Sequence, residues 1–164
     1  MRPYSLQFLR ADDFRQMKGA DDTMTEKIRM VIVEDQLLLR ETLELAMNSD
    51  REFHVAGSFG NAEDALEFIA GNEVDLVMLD RILPGMGGIS LTKRIRELQP
   101  SSRIVMVSMI SDEESVSRAM EAGVDGYLPK EIALAELIRG IKKVYLGEKL
   151  ICYQLAEKLI KLYS

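Results

Sequence analysis

A single cysteine, Cys152, and a single histidine, His54, are the first constraints in this chain of 164 residues. One cysteine excludes an internal disulfide and a cysteine-based zinc cluster, and nothing suggests an extracellular scaffold. His54 lies in a strand-like run with no metal partner in sequence, so it reads as structural rather than as a ligand or phosphodonor. No apolar run approaches the roughly 18 residues of a membrane span. The N-terminus lacks the apolar core of a secretory signal, so a cytoplasmic protein is expected. Basic residues are in the minority: 21 Lys and Arg against 27 Asp and Glu leave a net charge of −6. That balance argues against a free-standing nucleic-acid binder, which would usually be basic. Hydrophobic residues make up 47%, enough for the core of one domain with extra segments. The ten methionines show no metal-binding pattern and read as core and helix residues.

Residues 1–27 carry no strand pattern and read as an N-terminal extension, with Leu6, Leu9, Phe14 and Met17 spaced for a short amphipathic helix. From Ile28 onward, strand and helix patterns alternate. Strands are expected at 28–34, 53–59, 74–80, 103–108 and 124–129, each followed by a helical stretch. Asn61 is placed to cap the second helix. Ser111-Asp-Glu-Glu114 has the spacing of a capping box for the fourth, and Gly123 suits its C-terminal end. The fifth helix has Leu134, Leu137, Ile138, Ile141, Val144 and Tyr145 at helical period, and Gly147 breaks it. Five βα units in succession imply a parallel sheet covered on both faces, spanning 28–147. A further amphipathic helix is expected over 148–164, with Ile151, Leu155, Ala156, Leu159, Ile160 and Tyr163 on one stripe.

Right-handed crossovers bring the C-terminal ends of all the strands to one edge, where ligands of open α/β sheets sit. That edge collects Glu34 and Asp35 from the first strand, Asp80 from the third, Ser108 from the fourth and Lys130 from the fifth. Asp80 closes a buried run and precedes the Pro/Gly-rich turn Leu83-Pro-Gly-Met-Gly-Gly88. A carboxylate there is costly unless it has work to do. Three clustered carboxylates suit a hard cation, and magnesium prefers oxygen ligands shared with phosphate. A hydroxyl and a lysine suit a phosphoryl group. Carboxylates form aspartyl phosphates, so the residues point to a magnesium-assisted phosphoryl-acceptor site on Asp80.

The motifs Ile32-Val-Glu-Asp35, Leu79-Asp80-Arg-Ile-Leu-Pro-Gly-Met-Gly-Gly88, Val107-Ser108, Glu121-Ala-Gly-Val-Asp-Gly-Tyr127 and Leu128-Pro-Lys130 resemble the receiver domain of two-component response regulators, in order and spacing. The resemblance implies a flavodoxin-like (βα)5 doubly wound fold with strand order 2-1-3-4-5. It implies Asp80 as phosphoacceptor, Asp35 as direct magnesium ligand, Glu34 acting through a metal-bound water, and the backbone carbonyl of Ile82 as a further ligand. Ser108 and Lys130 match the family's hydroxyl and lysine. Tyr127 matches its switching aromatic, expected to swing inward when Ser108 moves onto the phosphoryl group. The implied partner is a sensor histidine kinase. The protein would be no enzyme beyond self-phosphorylation from small donors and self-dephosphorylation. Phosphorylation would promote a homodimer and, in this family, transcriptional output.

Glu131 after Lys130 and the segment Gly140–Lys149 look like receivers joined to a LuxR/FixJ-type helix-turn-helix. Too few residues follow for that DNA-binding module, so the chain reads either as a truncated regulator or as a natural single-domain receiver. Met109 stands where many relatives carry a smaller residue, a difference expected to alter phosphoryl lifetime. An aspartyl phosphatase would need a second acid two residues after Asp80, and position 82 is Ile. An interaction module without the chemistry would usually have lost the acids or the lysine.

Overall fold

The computed structural model describes residues 26–109 and 112–151. Along them run β1 (Ile28–Val33), α1 (Leu37–Ser49), β2 (Phe53–Phe59), α2 (Ala62–Gly71), β3 (Leu76–Asp80), α3 (Gly88–Leu98), β4 (Arg103–Ser108), α4 (Glu113–Ala122), β5 (Gly126–Pro129), α5 (Leu134–Tyr145) and β6 (Leu150–Ile151). The strands form one sheet in the order β2-β1-β3-β4-β5-β6, and every pairing is parallel. This is the flavodoxin-like arrangement, with the expected order 2-1-3-4-5 extended by a sixth strand. Leu150 and Ile151 therefore belong to the sheet and not to a helix beginning at 148. Cys152, the stripe from Leu155 to Tyr163, Ser111 and residues 1–25 lie outside the described residues.

Alternation along the strands divides the interior in two. Ile28, Met30 and Ile32 of β1, with Leu76 and Met78 of β3, pack on Leu43 and Met47 of α1 and on Leu137, Ile141 and Val144 of α5. Val31, Val33, Val77 and Leu79 face the opposite way, onto Ala62, Ala65 and Ile69 of α2, Leu91 and Ile95 of α3, and Val116 and Ala119 of α4. A strand buried on both faces has no polar alternation to show, which is why the central runs read as continuously apolar. Each such side chain contributes roughly 1.5–3 kcal/mol when fully buried.

The helix ends follow local chemistry. The Asn61 side chain accepts from the Asp64 amide at 2.8 Å, as the sequence suggested. The cap of α4 is Asp112: its carboxylate accepts from the Ser115 amide at 2.9 Å and from the Ser115 hydroxyl. Gly123 adopts a left-handed conformation (φ 107°), and the Val124 amide returns to the Ala119 carbonyl. That turn consumes Val124, so β5 starts at Gly126 rather than 124. Val74 likewise gives its amide to the Gln99 side chain, and β3 starts at Leu76.

The edge opposite the expected site is closed by one buried acid. Asp125, 4% exposed, accepts from the Ile104 amide at 2.9 Å and pairs with Arg96, Arg103 and Lys149. Arg96 also donates to the Gly123 and Ser102 carbonyls, fastening the end of α3 to the start of β4 and the turn before β5. Burial pushes the Asp125 carboxyl up, but the Ile104 amide and the Arg96 guanidinium more than offset it and hold it below the usual carboxylate range. A depressed folded-state value contributes stability that is fully present above about pH 4 and is lost as pH falls through that lower value. Asp125→Asn is therefore expected to lose roughly 2–3 kcal/mol at neutral pH, by urea denaturation. The gap from the parent chain should narrow as the buffer is acidified below about pH 4.

Candidate phosphoryl-acceptor site

Parallel register places the exits of β1, β3, β4 and β5 side by side. Val33 pairs with Leu79, Asp80 with Val107, and Ser108 with Pro129. The residues just past those pairs meet in space. The Lys130 ammonium lies 2.7 Å from Asp80 Oδ2 and 2.9 Å from Glu34 Oε2. Glu34 and Asp80 are buried, at 3% and 7% exposure, whereas Asp35 is exposed. One oxygen from each of Glu34, Asp35 and Asp80 lies within 4.8 Å of the others. Among the described residues this is the group whose oxygens suit a metal ion. Three carboxylates with one solvent-facing member fit a hard cation that keeps part of its water shell.

The electrostatics follow from burial and crowding. Burial raises the Glu34 carboxyl above the usual range, and the Asp80 charge adds to it. The hydrogen bonds from Lys130 and from the Gln36 amide only partly oppose them. Burial alone would lower the Lys130 ammonium, but its bonds to Asp80 and Glu34 reverse this and raise it above an ordinary lysine. Lys130 therefore stays charged, and it is the fixed cation between two acids that would otherwise repel each other.

Second contacts hold the acids in place. Glu34 Oε1 accepts from the Gln36 amide at 3.2 Å, and Arg40 of α1 donates to the Glu34 carbonyl at 2.7 Å. Asp80 Oδ1 accepts from the Ile82 amide at 3.2 Å. The loop after β3 is braced from α2: Glu63 Oε1 accepts from the Met86 amide at 3.0 Å. A Cβ on Gly88 would stand 2.2 Å from the Asp80 carbonyl oxygen. That glycine lets the start of α3 lie against the backbone at the end of β3, a tighter requirement than approach to a ligand. Gly85 and Gly87 turn the loop with positive φ.

Ser108 is buried at the end of β4. Tyr127, one strand over, is fully buried, and its side chain belongs to the core cluster with Leu79, Met106 and Val116. Burial raises its phenol, and hydrogen bonding with the Ser108 side chain opposes that rise. In this structure the ring lies inside the domain. Ile82 is exposed, and its amide donates to Asp80 Oδ1. Met109 is exposed at the rim, and His54 is exposed on β2, far along the chain from these strand exits. Arg40, Glu63 and the register of Gly88 were missed from sequence. Glu63 carried a signal, but an acid in the first turn of a helix reads as a favourable end charge.

A doubly wound parallel domain with an acidic, lysine-closed site at the carboxyl edge is the class that fold and site define. The chain belongs to the response regulator receiver domain family, whose profile matches residues 30–142. It is 29% identical to the response regulator UvrY of Escherichia coli (strain K12) over 132 residues, covering 80% of this chain and 61% of that protein. It is also 29% identical to the response regulator GacA of Pseudomonas aeruginosa, covering 80% of this chain and 62% of that one. The chain thus spans about three-fifths of the length of these relatives. Among solved structures it resembles a LuxR-family two-component response regulator from Aurantimonas sp. SI85-9A1 (TM-score 0.78, 26% identity, 84% of this chain and 99% of that one). It also resembles the receiver domain of the NarL regulator of Mycobacterium tuberculosis (TM-score 0.72, 27% identity, 76% and 100%). No helix among the described residues is long and apolar enough to cross a membrane.

The raised Glu34 value carries its own consequence. A carboxyl whose folded pKa lies above its unfolded value weakens folding as pH rises between the two. Glu34→Gln should therefore be at least as stable as the parent chain at neutral pH without divalent cations, by up to about 1 kcal/mol. The advantage should disappear below about pH 4. Millimolar magnesium should raise the melting temperature of the parent chain and raise that of Glu34→Gln much less.

Proposed function

We propose that this domain accepts a phosphoryl group on Asp80 and is switched by it. The observation that carries the reading is the Lys130 ammonium held within 3 Å of both Glu34 and Asp80, with Asp35 completing the acid cluster. In this reading an Asp80 carboxylate oxygen attacks the phosphorus of a phosphohistidine on a sensor kinase. The new O–P bond forms as the N–P bond to the donor imidazole breaks, and the imidazole leaves with the electron pair. Asp35 and Asp80 would hold a magnesium ion directly, with Glu34 acting through a bound water and the Ile82 carbonyl as a further ligand. The ion would supply positive charge shared between the acceptor carboxylate and the phosphoryl oxygens.

Lys130 neutralises charge on the phosphoryl oxygens once Asp80 has become an acyl phosphate, because its ammonium already sits at the acceptor oxygen. Ser108 donates its hydroxyl hydrogen to a phosphoryl oxygen, and Tyr127 reports that movement to the surface around α4 and β5. The neighbours named as LuxR-family regulators support an output through transcription in a longer protein; in this reading phosphorylation favours a homodimer. The site opens beside a small cavity of about 40 Å³ bounded by Leu39, Leu43 and Leu137 as well as the two buried acids and Lys130. Those apolar walls strengthen the charge interactions they enclose.

Incubation with a small acyl phosphate and magnesium should add the mass of one phosphoryl group to the intact chain. Asp80→Asn should remove that addition, and Lys130→Met should lower its initial rate at least tenfold, a loss of at least about 1.4 kcal/mol in the transition state. If neither a small donor nor a histidine kinase labels the parent chain, the domain is an interaction module and the proposal fails.

A further inference from the structure

The switching scheme leaves β6 without a role, yet its seating is specific. The Leu150 amide donates to the Asp125 carbonyl at 3.0 Å. The ladder then pairs Gly126 with Leu150 and Tyr127 with Ile151. Residues paired in a parallel ladder project to the same face of the sheet. Tyr127 is therefore flanked by its partner Met106 on the inner side and by Ile151 on the outer side. Ile151 is half-buried against the same core cluster that contains the Tyr127 ring. Leu150 points the other way and is 2% exposed among the α5 residues. Gly140 makes room for it, since a Cβ there would lie 3.0 Å from Leu150 Cδ2; a Cβ on Gly126 would instead meet Val144 Cγ2 at 2.9 Å and the Leu150 carbonyl oxygen at 3.4 Å. Lys149, just before the strand, pairs with Asp125 at 3.2 Å.

We propose that β6 is a positioning strand for the switch: Ile151 covers the outer flank of Tyr127, holds the ring inside the domain, and ties the docking of residues 149–151 to the phosphoryl state of Asp80. The proposal rests on the phosphoacceptor reading above. A ring that moves outward must occupy the sheet margin that Ile151 now covers, so an outward ring and a docked β6 compete for one place. An inward ring and a docked β6 support each other. A phosphoryl group that draws Ser108 toward Asp80 favours the inward ring and therefore the docked strand. Coupling of this kind is reciprocal, so docking of β6 in turn favours the occupied site. The polypeptide continuing beyond Ile151 is then attached directly to the strand that carries the switch residue. α5 is not the only connection between the site and whatever follows.

The test uses the full chain, with magnesium and beryllofluoride as phosphoryl mimic and amide hydrogen exchange read at Leu150. Protection of that amide should rise on the order of fivefold when the mimic binds, and Ile151→Ala should bind the mimic about fivefold more weakly. Ile151→Val, which keeps the branched side chain, should restore most of that affinity. A purely structural strand would lower the melting temperature of Ile151→Ala and leave mimic affinity untouched; that result overturns the proposal. Unchanged Leu150 protection in a chain whose Asp80 is occupied overturns it too, and leaves the phosphoacceptor reading standing. A parent chain that neither takes a phosphoryl group nor binds the mimic removes both.

Discussion

The carboxyl edge of this domain is organised around one ammonium group. Lys130 is brought by the end of β5 to within 3 Å of acids from β1 and β3. Without it, Glu34 and Asp80 would be two buried negative charges in contact, an arrangement that costs several kcal/mol or forces one to bind a proton. The positions that lysine needs are set by the whole sheet. β1 must lie beside β3, β5 must lie one strand beyond β4, and all must end at the same height. Any slip of register by one residue would turn an acid toward the opposite core. The two apolar layers that fix the register therefore also build the site.

The acids remain poorly satisfied even so. Glu34 keeps a raised pKa although Lys130 and the Gln36 amide both bond to it. One cation serves two buried carboxylates, and a third acid stands at the rim. A site in that condition has free energy to release when further positive charge arrives. It is also the condition in which moving negative charge onto Asp80 disturbs its neighbours most. Stability and responsiveness are opposed here, as they commonly are at functional sites. The far edge shows the contrary design. Asp125 is equally buried, but two arginines, a lysine and a backbone amide surround it, and its pKa falls. That edge ties α3, β5 and β6 together through bonds to Asp125 and Arg96.

Much of this was legible in the linear chain. Glu34, Asp35, Asp80, Ser108 and Lys130 each follow an apolar run, and the alternation of those runs with helical periods gave the order of the elements. Asn61 and Gly123 behaved as local chemistry requires, because a cap depends on residues within one turn of it. Errors arose where an amide had a distant or competing partner. Val74 bonds a side chain 25 positions away, so a strand that looks apolar from 74 begins at Leu76. Asp112 is the cap of α4 because its carboxylate reaches the Ser115 amide three residues on, a local contact that the acid-rich start of the helix already offered. The strand at Leu150–Ile151 was read as helix, since two residues carry no period and their apolar spacing continued into a helical stripe.

The sequence by itself determined the doubly wound fold, the family, and which residues stand at the strand exits. These depend on hydrophobic period and on chain order, both of which are written in one dimension. Tertiary structure alone decided which acids the lysine touches, that Glu34 is buried while Asp35 is exposed, and that Tyr127 lies inside the core. It alone placed Ile151 beside that ring. Those outcomes depend on distances between segments tens of residues apart, set by sheet register and by packing on both faces. No local pattern encodes a distance across the sheet.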